Sequence, residues 1–154
     1  GLTHAPEEMK ELKDINDFYK DLERMYLSAP INSIYRPEIT IKEGCADVSV
    51  SVNPEHFHGG NFLHGSVIFK LLDDSAFFAA QSKEYDYFIL TASFNVHFIR
   101  PINSGTLLSK GRIVTQTSSQ YLAESKVYND AEKLVAYGSG LFMKSKMKML
   151  KLGY

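Results

Sequence analysis

The stretch His64-Gly65-Ser66-Val67-Ile68-Phe69-Lys70-Leu71-Leu72-Asp73-Asp74-Ser75-Ala76-Phe77-Phe78-Ala79-Ala80 decides the fold. Its periodicity predicts a helix over residues 66–83, roughly 27 Å long. Val67, Ile68, Leu71, Leu72, Ser75, Ala76 and Ala79 make one face. Phe69, Phe77, Phe78 and Ala80 spread apolar or small side chains around most of the rest. A helix that is apolar nearly all round belongs inside a protein. Its polar exceptions are Lys70, Asp73 and Asp74. Burying a carboxylate is expensive unless it is paired or hydrogen-bonded. An i,i+4 pair of Lys70 with Asp74 accounts for one acid and leaves Asp73 unexplained.

Upstream, Ala46, Val48, Val50 and Val52 alternate with Asp47, Ser49 and Ser51, the period of a half-buried strand. A shorter strand, 38–42, precedes it across a turn at Glu43-Gly44. Asn53-Pro54 ends the pair. The loop His56-Phe57-His58-Gly59-Gly60-Asn61-Phe62-Leu63-His64-Gly65 then leads into the helix. Further upstream, residues 6–27 read as an amphipathic helix. Met9, Leu12, Ile15, Phe18, Tyr19, Leu22, Met25 and Tyr26 recur at three- and four-residue spacing. Pro30 and Pro37 bracket the connection that follows.

Downstream, four strands are expected at 88–100, 106–115, 121–128 and 134–144. On the first, Ala92, Phe94, Val96 and Phe98 should face one way, and Thr91, Ser93, Asn95 and His97 the other. The connections at 101–105, 117–119 and 129–130 are short, so the four strands should pair as an antiparallel meander. The tail Lys144-Ser145-Lys146-Met147-Lys148 has the alternating charge that blunts an edge strand. The expected architecture is α+β: a curled antiparallel sheet wrapped around one long central helix, in a single domain over 1–154, with residues 1–30 an N-terminal helix. A sheet covers one side of a helix, so a second copy of the chain should cover the other.

Composition narrows the function. The 154 residues carry a net charge of -1, which argues against a nucleic-acid partner. No apolar run reaches membrane-span length, and no leader pattern is present, so a cytoplasmic protein is expected. Cys45 is the only cysteine, which excludes an intrachain disulfide. His56, His58 and His64, even with Asp73, match no strong zinc spacing, so no metal is expected.

The run from His64 through Ala76 resembles the signature of hotdog-fold acyl-CoA thioesterases of the phenylacetate-pathway (PaaI-like) group: a histidine–glycine pair, then an acid nine residues after the histidine inside the central helix. Phe98-Ile99-Arg100-Pro101 is similar to the family's strand ending in Arg-Pro. The resemblance implies a hotdog fold, a homodimer or homotetramer, and hydrolysis of acyl-CoA, with coenzyme A as part of the substrate and no other cofactor. It assigns Asp73 as general base or nucleophile, Gly65 as backbone oxyanion donor, and His64 as the residue orienting the thioester. Thr91 falls where relatives place a hydroxyl that positions water. His58 stands six residues before His64, where relatives carry an asparagine, and Asn61 lies nearby. Ser66 replaces the second glycine of the motif. Asn61, Ser66 and Arg100 are the expected substrate contacts, Arg100 because a guanidinium forks well onto phosphate.

Two alternatives stand beside this reading. His58 and Ser66 are departures compatible with a non-catalytic acyl-CoA binding protein. His56-Phe57 with Gly59 and Gly65 resembles the loop of hotdog dehydratases acting on hydroxyacyl chains. Those enzymes need a glutamate where Lys70 stands, so β-elimination would lack half of its acid–base pair.

Overall fold

The computed structural model describes the backbone of residues 5–149 and the side chains of residues 14–149. The expected contributions of Met9 and Leu12 therefore lie outside the described side chains. The elements are α1 (Ala5–Ser28), a one-turn α2 (Asn32–Tyr35), β1 (Glu38–Lys42), β2 (Cys45–Ser51), a 3-10 turn (Pro54–His56), α3 (Gly65–Gln81), β3 (Tyr87–Phe98), β4 (Thr106–Gln116), β5 (Gln120–Tyr128) and β6 (Leu134–Lys148). The six strands form one antiparallel sheet in the order β1-β2-β4-β5-β6-β3. The sheet curls around α3, which gives the hotdog fold.

β4, β5 and β6 form the expected meander, but β3 does not join β4. The far side of β4 is taken by β2, and β3 pairs with β6 at the opposite edge. Lys144 and Lys148 lie within β6, opposite Ile89 and Tyr87 of β3, while β5 ends at Gln120 opposite Met143, so the tail is paired on its β3 side and has no strand on the other.

The core lies between the sheet and α3. Leu71 and Leu72 from α3 meet Val48, Leu107, Val127 and Val135 from the strands, all buried. The helix comes unusually close to the sheet at Ser75, because Gly111 of β4 faces it with no side chain. A Cβ at Gly111 would collide with the Ser75 carbonyl. Two buried hydroxyl contacts hold this approach. Ser75 Oγ meets Ser109 Oγ at 2.7 Å, and Ser125 Oγ donates to the Leu72 carbonyl at 2.7 Å.

The face of α3 that the sheet leaves open is partly covered from within the chain. Tyr26 of α1 packs edge-on against Phe78 at 5.1 Å, and its hydroxyl donates to Asp74 at 2.6 Å. Glu23 accepts from the Ile41 N–H at 2.8 Å and ties α1 to the β1 edge. Phe69 stays 39 % exposed on α3, beside Phe94 of β3.

Candidate active site

Asp73 lies near the middle of α3, half-buried, and Thr91 Oγ1 donates to its Oδ1 at 2.9 Å. Strict alternation would put Thr91 and Phe94 on opposite faces of β3. The register shift between Thr91 and Ser93 is a bulge at Ala92, which resets the alternation. Thr91 and Phe94 then both face inward, Thr91 onto Asp73 and Phe94 onto Phe69 and Phe142. Gln81, the last residue of α3, aligns the start of β3. Its amide donates to the Glu84 and Tyr87 carbonyls and accepts from Ile89 N–H.

The two adjacent acids have different surroundings. Asp74 is paired with Lys70 at 2.5 Å and receives the Tyr26 hydroxyl. Lys70 also sits over the rings of Tyr26 and Tyr35, at 5.2 and 5.5 Å. Burial and the Asp74 charge push the Tyr26 phenol far above its ordinary range. Asp73 has only the Thr91 hydrogen bond among the described residues. Burial pushes its carboxyl from 3.8 up to about 6, the Thr91 bond pulls the other way, Asp74 raises it and Lys70 lowers it. Asp73 is thus a poorly solvated carboxylate with one oxygen uncommitted, facing a cavity of about 330 Å³. Phe77, Phe78, Phe88, Leu90, Met25 and Ile31 supply the apolar part of its wall.

Gly65 opens α3. Its N–H has no partner among the described residues, whereas the next two N–H groups bond back to His64. His64 is the N-cap: its Nδ1 accepts from Ser66 N–H at 3.0 Å and lies 2.8 Å from Ser66 Oγ. His64 and Ser66 thus spend polar capacity on closing the helix start and leave the Gly65 donor free at the positive end of the dipole. Phe98 packs against Gly65 closely enough that a Cβ there would lie 3.3 Å from the ring. A second cavity of about 330 Å³ opens here, lined by His58, Phe62, Gly65, Phe98 and Arg100 among others. His58 Nδ1 accepts from the Gly60 N–H at 2.9 Å. Asn61 turns the loop with φ 64°.

The structure therefore brings Asp73 to Thr91, and gathers Gly65, His58 and Arg100, but in two separate hollows. Eight residues of helix separate Gly65 from Asp73, about 12 Å along the axis. Sequence reasoning assigned neither Tyr26, Asn32 nor Phe98 to these hollows: Tyr26 enters it only as part of the apolar stripe of the first helix and Phe98 only as the start of the Phe98-Ile99-Arg100-Pro101 strand end, while Asn32 carries no signal in the chain. No group of three or more His, Cys, Asp or Glu able to hold a metal ion is found among the described residues. No helix among them is long and apolar enough to cross a membrane.

The profile of the thioesterase superfamily matches residues 60–136, half of the chain. This protein belongs to that superfamily. A relative from Archaeoglobus fulgidus, named as an inferred esterase, is 30% identical over 105 residues. That match covers 66% of this chain and 66% of the relative, so the chain spans just under two thirds of the relative's length. Among solved structures, the PaaI protein of the E. coli phenylacetic acid degradation operon superposes with a TM-score of 0.79 at 20% identity, covering 86% of this chain and 96% of that one. A thioesterase from Haemophilus influenzae superposes with a TM-score of 0.73 at 16% identity, covering 88% and 94%. Both share the hotdog fold with this chain.

Proposed function

We propose that the protein hydrolyses acyl-CoA thioesters in the manner of the PaaI-like group, at a site shared between two copies of the chain. The observation that carries the reading is the state of Asp73. It is a half-buried carboxylate held by one hydroxyl, with a free oxygen over an apolar cavity. A base with a pKa near 6 is mostly ionised at neutral pH and basic enough to take a proton from water. Thr91 fixes the rotation of the carboxylate. Water attacks the thioester carbonyl as Asp73 accepts its proton, and the carbonyl oxygen gathers charge against a Gly65 N–H. The tetrahedral intermediate expels the thiolate, which takes up a proton, leaving free acid and coenzyme A. His58 and Arg100, beside Gly65, then lie on the coenzyme side.

Within one chain the base and the oxyanion donor are too far apart to meet on one carbonyl, since each must come within about 3 Å of the reacting group or its water. The free edge of β3 offers the solution. It is twelve residues long and carries no proline or lysine to blunt it. Leu90 is 53 % exposed, Phe98 58 % and Ile99 48 %. A twofold partner pairing along this edge would run its own α3 antiparallel to the first. The Gly65 end of one helix would then lie beside the Asp73 of the other, and two equivalent sites would form.

Thiol release from a panel of acyl-CoAs, with aliphatic and aromatic acyl groups of graded length, tests the proposal. Turnover by the wild type that disappears in Asp73→Asn is the expected result. Tight binding of acyl-CoA with no turnover across the panel would make this a binding protein and overturn the enzymatic reading.

A further inference from the structure

Asp73 takes a proton in the proposed hydrolysis, and Asp74, its neighbour in the chain, has no step in it. Two carboxylates side by side on a partly buried helix oppose each other's ionisation. Asp74 Oδ2 accepts from Lys70 Nζ at 2.5 Å and from the Tyr26 hydroxyl at 2.6 Å. The pair is partly buried, with the Lys70 side chain 15 % exposed and that of Asp74 18 %. The Lys70 ammonium also lies over the Tyr26 and Tyr35 rings. Held by one carboxylate and two aromatic faces, it cannot swing out to water without leaving all three and baring the Asp74 charge.

Helical spacing places this ammonium beside both acids. Lys70 stands three residues before Asp73 and four before Asp74, and both separations bring side chains together on one face. All three residues line the same hollow. Among the described residues, α1 adds Tyr26 to the titratable groups around Asp73, and α2 adds Tyr35, with His56 against its ring at 5.1 Å. β3 presents Thr91, Phe88 and Leu90, none of which titrates. Burial raises the Asp73 carboxyl most and the Thr91 bond lowers it, after which the Asp74 and Lys70 charges act against each other.

We propose that Lys70 and Asp74 form a positioning pair for the base: Asp74 anchors the ammonium, and the ammonium cancels the Asp74 charge, so that Asp73 remains an available anion beside a second acid. Both residues act through Asp73. The effect on rate rests on the thioesterase reading, whereas the effect on the ionisation of Asp73 needs no turnover.

The two halves of such a pair must push in opposite directions. Lys70→Gln leaves the Asp74 charge unopposed, and Asp74→Asn leaves the Lys70 charge unopposed. An unopposed charge at this range moves a carboxyl by about one pH unit. The limb of the rate profile, at about pH 6 in the wild type, should move up to about 7 in Lys70→Gln and down to about 5 in Asp74→Asn. At pH 6 the upward shift cuts the ionised fraction of Asp73 from about one half to about one eleventh, a fall of about fivefold in kcat/KM. Combining the two substitutions should return the limb to about 6, and Lys70→Arg, which keeps the charge, should hold it there.

The test is a pH–kcat/KM profile of each variant beside an NMR titration of the Asp73 carboxyl, whose signal is identified by its absence from Asp73→Asn. Opposite displacements in the single variants, cancelled in the combination, are the expected result. Turnover with both limbs unmoved, or moved the same way, overturns the role of the pair and leaves the thioesterase reading intact. Opposite displacements of the NMR titration with no turnover of any acyl-CoA sustain the hold of the pair on Asp73 and overturn the thioesterase reading. Should a single variant fail to fold, the sign of the shift in the other decides. Should both fail, the combined variant, which leaves no charge unpaired, decides, and a limb displaced by a unit or more there overturns the proposal.

Discussion

Replacing Asp73 with asparagine keeps the shape of the side chain and removes its charge, and activity and stability should then move in opposite directions. Loss of a general base costs on the order of 10²–10⁴ in rate. For stability, the folded protein holds the Asp73 proton more tightly than the unfolded chain does, about 6 against 3.8. Between those values the folded state binds more protons, so stability is fully present below the unfolded value, falls as pH rises toward about 6, and stays reduced above it. A rise of that size is worth at most about 3 kcal/mol. Asp73 is only half-buried, so about 1–2 kcal/mol is the expected size. Urea unfolding of wild type and Asp73→Asn at equal protein concentration, at pH 7.5 and again near pH 3.5, measures it. The variant should be the more stable protein at pH 7.5, with the gap closing at the lower pH. An Asp73→Asn protein that is both inactive and less stable at pH 7.5 would refute the reasoning, since the carboxylate would then be a structural ion and not a poorly solvated base.

Thr91→Val removes the hydrogen bond that lowers the Asp73 pKa, so the rate, which rises through about pH 6 in the wild type, should rise at higher pH in the variant; a pH–kcat/KM profile reads the shift. Gly65→Pro deletes the unpartnered N–H at a helix position that tolerates proline, behind a His64 already at φ -61°, ψ 139°, the conformation preferred before proline. Gly65→Ala retains the N–H and makes a similar Cβ contact with Phe98. The proline variant should lose a further ~10²–10³ in kcat relative to the alanine variant. Tyr26→Phe takes one hydrogen bond from Asp74 and should destabilise the fold by about 1–3 kcal/mol in urea unfolding, with an intact Asp73 site and a far smaller loss of rate than Asp73→Asn.

What is legible in the chain and what is not follows from the range of each signal. Periodicity predicts α3 at 66–83 and the helix stands at Gly65–Gln81, because a buried helix writes its pattern into every turn. β2 alternates as its valines require, with Ala46, Val48 and Val50 inward. The one-turn α2 between Pro30 and Pro37 is too short to repeat, and it holds Asn32. The partnership of β3 with β6 joins residues some forty to sixty positions apart and leaves no local trace. The bulge at Ala92 is equally silent, yet without it Thr91 would face away from Asp73. Asp73 stands out in the sequence as a buried acid lacking a partner, and Lys70–Asp74 form the pair that i,i+4 spacing allows. Tyr26, 48 residues from Asp74, is visible only in three dimensions.

Sharing of the site between two chains is tested most directly by complementation. Asp73→Asn and Gly65→Pro chains, each inactive alone, are unfolded, mixed in equal amounts and refolded together. Random pairing makes half of the dimers mixed, and each mixed dimer holds one site with an intact acid and an intact donor, so about a quarter of wild-type activity should return. Mixed dimers confirmed by native mass spectrometry, with activity no higher than that of the two parents, would show that each chain carries its own complete site and would contradict the mechanism.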